Sequence, residues 1–133
     1  MVRLNKSKLS NTQLNKLSKQ FTQLIASSKE DQTITVFDSL LGKEEKIMII
    51  KRLAVIILLV EGKTLYSISR AVKVSPATAK KLKLDIERGK YDELLRVIGK
   101  NKKEYFSILE TIDNILHLGG ILPHYNGLDR YRF

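Results

Sequence analysis

The stretch TLYSISRAVKVSPATAKKLKLDI, Thr64 to Ile86, constrains the fold more tightly than any other part of the chain. Thr64 is placed to cap a helix, since its hydroxyl can accept from an orphan backbone N–H. Leu65, Ile68 and Val72 then fall on one helical face. Only Lys73, Val74 and Ser75 remain before the next helix signal, so the connection must be a tight turn. Ser75 can cap that second helix, and Pro76 occupies its first position, where a missing N–H is no loss. Ala79, Leu82 and Ile86 mark its inner face, while Ala77, Lys80, Lys81, Leu84 and Arg88 point the other way. Caps, turn length and periodicity together predict a helix-turn-helix over 64–88. Lys73 stands where many such turns carry glycine, which predicts an altered turn or a left-handed residue. A second helix so exposed and so basic can enter a major groove. The plain alternative is an αα-hairpin whose lysines are merely solvated.

Charge points the same way. The 133 residues hold 24 Lys+Arg and 14 Asp+Glu, a formal +10, and the excess is localised. Residues 1–30 carry six basic and one acidic residue, and residues 63–90 carry eight and two. Cations gathered on one helix pair and one arm suit a polyanion, whose neutralised phosphates release counterions. A membrane surface or an acidic protein suits them less well. Cysteine is absent, which excludes disulfide and thiolate chemistry and fits a reducing compartment. No secretion-signal apolar run opens the chain, so a cytoplasmic, nucleoid-associated location is expected.

Ile47 to Val60 is apolar except for Lys51 and Arg52, yet it is shorter than the roughly 20 residues a bilayer needs. It predicts a core helix from about Lys43 to Gly62, and no membrane span. Its apolar residues wrap most of the circumference, and such a helix must be buried nearly all round. A small domain has few helices to cover it, so a second copy of the chain is the simplest source of partner surface.

The remaining segments also read as helices. Ser10 and Gln13 have capping-box spacing ahead of a stripe of Leu14, Leu17, Phe21, Leu24 and Ile25. Asp31 can cap a short helix carrying Ile34, Phe37, Leu40 and Leu41. Thr33 to Val36 is the one β-like run and is too short to pair. Tyr91, Leu94, Leu95 and Ile98 form a patch halted at Gly99, and Asn101 can cap a last helix ending at Gly119 and Gly120. The fold class is all-α, with extra C-terminal helices over 91–118 and an irregular tail over 119–133. That tail mixes His124, Tyr125, Arg130, Tyr131, Arg132 and Phe133; it can dock on the body, stay disordered, or follow a phosphate backbone.

Catalytic signals are weak. Gly62, Lys63 and Thr64 imitate the end of a phosphate loop, but the required earlier glycine is Ile57. His117, His124 and Asp113 make a poor metal set, and adjacent Glu44 and Glu45 are explained by placement at a helix start. No nucleophile–base pair emerges, so neither an enzyme nor a cofactor is expected.

The run FDSLLGKEEKIMIIKRLAVIILLVEGKTLYSISRAVKVSPATAKK, Phe37 to Lys81, preceded by a basic amphipathic helix, resembles the Trp repressor superfamily and its Trp-repressor-like branch. The similarity spans roughly residues 10–90 and rests on Leu40-Leu41, Lys51-Arg52-Leu53, Glu61-Gly62 and the helix-turn-helix. It implies a Trp-repressor-like domain over 1–90, assembled as an intertwined homodimer with two reading heads about 34 Å apart. For an effector it implies a pocket at Arg52, Thr78 and Lys81. The family's second arginine falls on Lys81, which cannot stack on a ring, and one of its threonines falls on Gly42. Tryptophan is therefore not the expected corepressor. Arg52, a cation within an apolar helix, should instead pair with an acid such as Glu45 or one from the second subunit.

The reading that results is a homodimeric regulator of transcription, a repressor by preference, binding double-stranded DNA with helix 76–88 in the major groove. Ser75, Pro76, Ala77 and Thr78 would lie nearest base edges, with Lys80 and Lys81 on bases or phosphates. Lys63, Thr64, Tyr66, Ser67 and Arg70 would hold the backbone, flanked by Lys83 and Arg88. Two alternatives stay open: the recognition module of a mobile-element or recombination system, and a basic scaffold for an acidic protein.

Overall fold

The structure, a computed structural model, describes residues 8–117, and for 116 and 117 the backbone only. Seven helices and no strand occur among the described residues, so the chain is all-α. They are α1 (Asn11–Ser27), α2 (Glu30–Leu40), α3 (Lys43–Val60), α4 (Leu65–Val72), α5 (Pro76–Glu87), α6 (Asp92–Lys100) and α7 (Lys102–His117). None is long and apolar enough to cross a membrane. The chain divides into two compact units between Met48 and Ile49.

The first unit contains α1, α2 and the start of α3. Ser10 and Gln13 form the expected capping box, Gln13 N–H donating to Ser10 Oγ at 3.1 Å and Ser10 N–H to Gln13 Oε1 at 3.0 Å. α2 starts two residues earlier than Asp31 as a cap would dictate: Lys29 is its N-cap, its N–H held by Gln32 Oε1 at 3.0 Å. Phe21 meets Phe37 edge-on at 6.5 Å, and Lys46 pairs with Asp38. Yet neither α1 nor α2 contains a buried residue. Leu14, Leu17, Phe21 and Leu24 are 40–53% exposed, although they form the stripe that should pack.

The second unit holds the core. Val55, Ile56, Ile57, Leu58 and Val60 of α3 are buried together with Ile68 of α4, Ala79, Leu82 and Ile86 of α5, Leu95 of α6 and Tyr105, Leu109 and Ile112 of α7. α4 packs against both α5 and α7, and α6 against α7. Only the C-terminal half of α3 is buried. Its first half leaves Ile47, Met48, Ile49 and Ile50 exposed, against the expectation that the helix be covered all round. α6 also runs through Gly99 to Lys100 instead of stopping there. A glycine costs about 1 kcal/mol inside a helix, and the anchoring of Leu95 and Ile98 on the core outweighs it.

Candidate nucleic-acid interface

The helix pair α4–α5 begins with a change of direction that only a glycine-like residue makes easily. After α3, Gly62 adopts φ 84°, Gly62 N–H donates to Leu59 O at 3.0 Å and Lys63 N–H to Leu58 O at 3.0 Å. These two bonds close the end of α3 as a Schellman motif. Thr64 then caps α4, accepting from Ser67 N–H at 3.1 Å and donating to Ser67 Oγ at 3.0 Å. The Gly62-Lys63-Thr64 sequence is thus one helix stop followed by one helix start.

The turn between α4 and α5 is held at three points. Lys73 is left-handed, with φ 61° and ψ 49°. Ser69 Oγ donates to Val74 O at 2.6 Å, and Lys51 Nζ donates to Lys73 O at 3.0 Å. Ser75 caps α5 by accepting from Thr78 N–H at 3.1 Å, and its hydroxyl lies 2.8 Å from Thr78 Oγ1. Of these, the sequence reading contains Lys73 and Ser75. It misses Ser69, an ordinary serine in a helix, and Lys51, whose only signal is a lone ammonium inside an apolar run.

The fixed turn sets which face of α5 is presented. Ala79, Leu82 and Ile86 are buried, and Pro76, Ala77, Thr78, Lys80, Lys81, Lys83, Leu84 and Arg88 are exposed with Ser75. On α4, Tyr66 is 70% exposed and carries Arg70, whose Nη1 donates to Tyr66 Oη at 3.0 Å with the guanidinium carbon 5.5 Å from the ring centre. Thr64 is exposed, and Lys63 and Ser67 are half-buried. Among the described residues, Lys63, Arg70, Lys73, Lys80, Lys81, Lys83 and Arg88 form no ion pair; the acid on α5 that does, Asp85, faces Lys90 at 3.7 Å. Among the described residues the pair therefore presents cations that no ion pair neutralises, on a turn fixed by hydrogen bonds, with Glu87 the one exposed acid of α5.

Of the three effector candidates, Arg52, Thr78 and Lys81, none is buried. Arg52 and Lys81 are exposed, and the Thr78 hydroxyl is engaged with Ser75. No hydrogen bond or ion pair among the described residues joins them. Glu45 accepts Gly42 N–H at 2.8 Å, and Arg52 is exposed to water in the single chain. No metal-holding group of His, Asp and Glu occurs among the described residues, and His124 and the aromatic tail lie outside them. No family model, curated protein or solved structure matches this chain.

Proposed function

We propose that the protein is a non-enzymatic, homodimeric DNA-binding regulator with a Trp-repressor-like domain, acting in the cytoplasm on the chromosome. Its α4–α5 pair serves as a helix-turn-helix, with α5 in the major groove and α4 on the backbone. The observation that carries this reading is the exposed, unpaired basic face of α5 behind a turn locked by Ser69, Lys51 and Ser75. An ordinary hairpin needs neither the lock nor the unbalanced charge. Ala77 near the start of α5 can touch a thymine methyl, and Lys80 and Lys81 lie one turn further on for bases or phosphates. The dimer is supported by the apolar surface that α1, α2 and the first half of α3 leave in water, which a second copy would cover isologously.

Selection of bound sites from random duplex DNA tests the reading directly. One recovered sequence, with half-sites about one helical turn apart, is expected. Lys80→Ala with Lys81→Ala should weaken binding and lower its salt slope by about one for each phosphate no longer neutralised, with melting temperature held. Unselective recovery, or binding untouched by the double variant, would remove α5 as the reading helix.

A further inference from the structure

The junction of α6 and α7 concentrates positive charge that no ion pair among the described residues balances. Lys100, Lys102 and Lys103 are all exposed, and among the described residues none of them forms an ion pair. Lys102 and Lys103 occupy the first turn of α7, where the positive end of the helix dipole opposes a cation. Glu104, the acid of that turn, is itself exposed and pairs with neither. Asn101, which could have capped α7, is turned back on α6, donating from Nδ2 to Val97 O at 2.8 Å. For Lys102 and Lys103 local structure thus gives no reason, whereas Lys100 sits in the last turn of α6, where the dipole favours a cation; an external anion would give all three a partner.

The junction is fastened to the helix pair. Tyr105, one turn on from Lys102, is buried, and its hydroxyl donates to a carboxylate oxygen of Glu61. Glu61 directly precedes Gly62, Lys63 and Thr64, the residues that start α4, and α4 packs on α7. The three lysines therefore stand on an element braced against the root of α4, where Lys63 and Thr64 are already candidate backbone contacts. A cluster of exposed cations at one helix junction fits a partner that carries many negative charges. The phosphate backbone of a duplex is that partner, and counterion release makes each such contact favourable.

We propose that Lys100, Lys102 and Lys103 form a second phosphate-contact surface that grips the DNA backbone beside the segment read by α5. This surface rests on the DNA-binding reading of the α4–α5 pair. It holds the duplex without regard to sequence, since phosphates position and base edges specify.

The test compares the full chain with its Lys100→Gln, Lys102→Gln, Lys103→Gln variant on the selected duplex and on a scrambled one, across a salt series. The triple variant should bind both duplexes more weakly by the same factor. Its salt slope should fall by about two to three, and hydroxyl-radical footprinting should lose protection at the edge of the site. In a Lys102→Gln, Lys103→Gln variant that keeps Lys100 the melting temperature should be no lower, because those two lysines oppose the α7 dipole. An unchanged slope in the triple variant, while Lys80→Ala with Lys81→Ala lowers it, would overturn this surface and leave the reading helix standing. A larger loss on the selected duplex than on the scrambled one would overturn the backbone assignment, and a lowered melting temperature in the variant that keeps Lys100 would give Lys102 and Lys103 a structural role. Failure of the unaltered chain to bind either duplex would overturn both.

Discussion

Lys73 has a Cβ in a left-handed conformation, which disfavours any L-residue by about 1–2 kcal/mol. The turn keeps it because Lys51 Nζ, Ser69 Oγ and the backbone bonds from Lys73 and Val74 to Ser69 O over-determine that geometry. Glycine relieves the strain and loses more chain entropy on folding, so Lys73→Gly should gain a net ~0.5 kcal/mol. The gain would appear as a higher midpoint in urea unfolding; a lower midpoint would mean that the lysine stem supplies packing the turn needs. Arg52 raises the other residue-scale question. It is solvated, Thr78 is committed to the α5 cap, and Lys81 cannot stack on an indole. Free tryptophan is therefore expected neither to bind nor to change DNA affinity. Micromolar binding by calorimetry, lost in Arg52→Ala, would restore an amino-acid pocket here.

Elements in this chain begin and end where capping chemistry says, except where packing overrules it. α1, α4 and α5 start at Ser10, Thr64 and Ser75, each of which accepts the N–H three residues on. All three are visible in sequence because a cap depends only on neighbours in the chain. α6 passes its expected stop at Gly99, and Asn101 turns away from α7, because Leu95 and Ile98 fix the run of α6 on the core. The brace from α3 to the α4–α5 turn is of the second kind. Lys51 and Lys73 are 22 residues apart, and nothing local to either signals the bond. Lys51→Met keeps the stem and removes the ammonium, so it should cost about 1 kcal/mol and loosen the turn. A fall in affinity for the selected duplex with little change for a scrambled one would confirm that Lys51 aims α5. Equal losses on both would make it a plain charge contact.

At the scale of the whole molecule, the apolar residues fall into two classes. Ile57 and Leu58, which α3 periodicity alone would send to a shared interface, are 1% exposed within a single chain. Leu17, Phe21, Met48 and Ile50, on equally apolar stretches, are 40–59% exposed. Substitutions should separate accordingly. Ile57→Asp buries a carboxylate with no partner and should abolish folding. Leu17→Asp and Ile50→Asp place the charge in water in the single chain, so the second unit should stay folded by circular dichroism while sedimentation falls to the monomer mass. Unchanged dimers in both surface variants would sink the proposed arrangement, and a wild-type monomer would sink it outright.

Sequence alone determines the helical class, most helix starts, the inner face of α5 and the basic character of its outer face. These depend on period, capping residue and charge, all of which act within a turn or two of chain. Tertiary structure decides what distance along the chain conceals: the Lys51 bond to Lys73 O, the Tyr105 brace on Glu61, and the course of α6 through its glycine. It also decides which half of α3 a single chain can bury. An apolar pattern states that a face avoids water, whereas the surface that covers it is set only when distant helices meet.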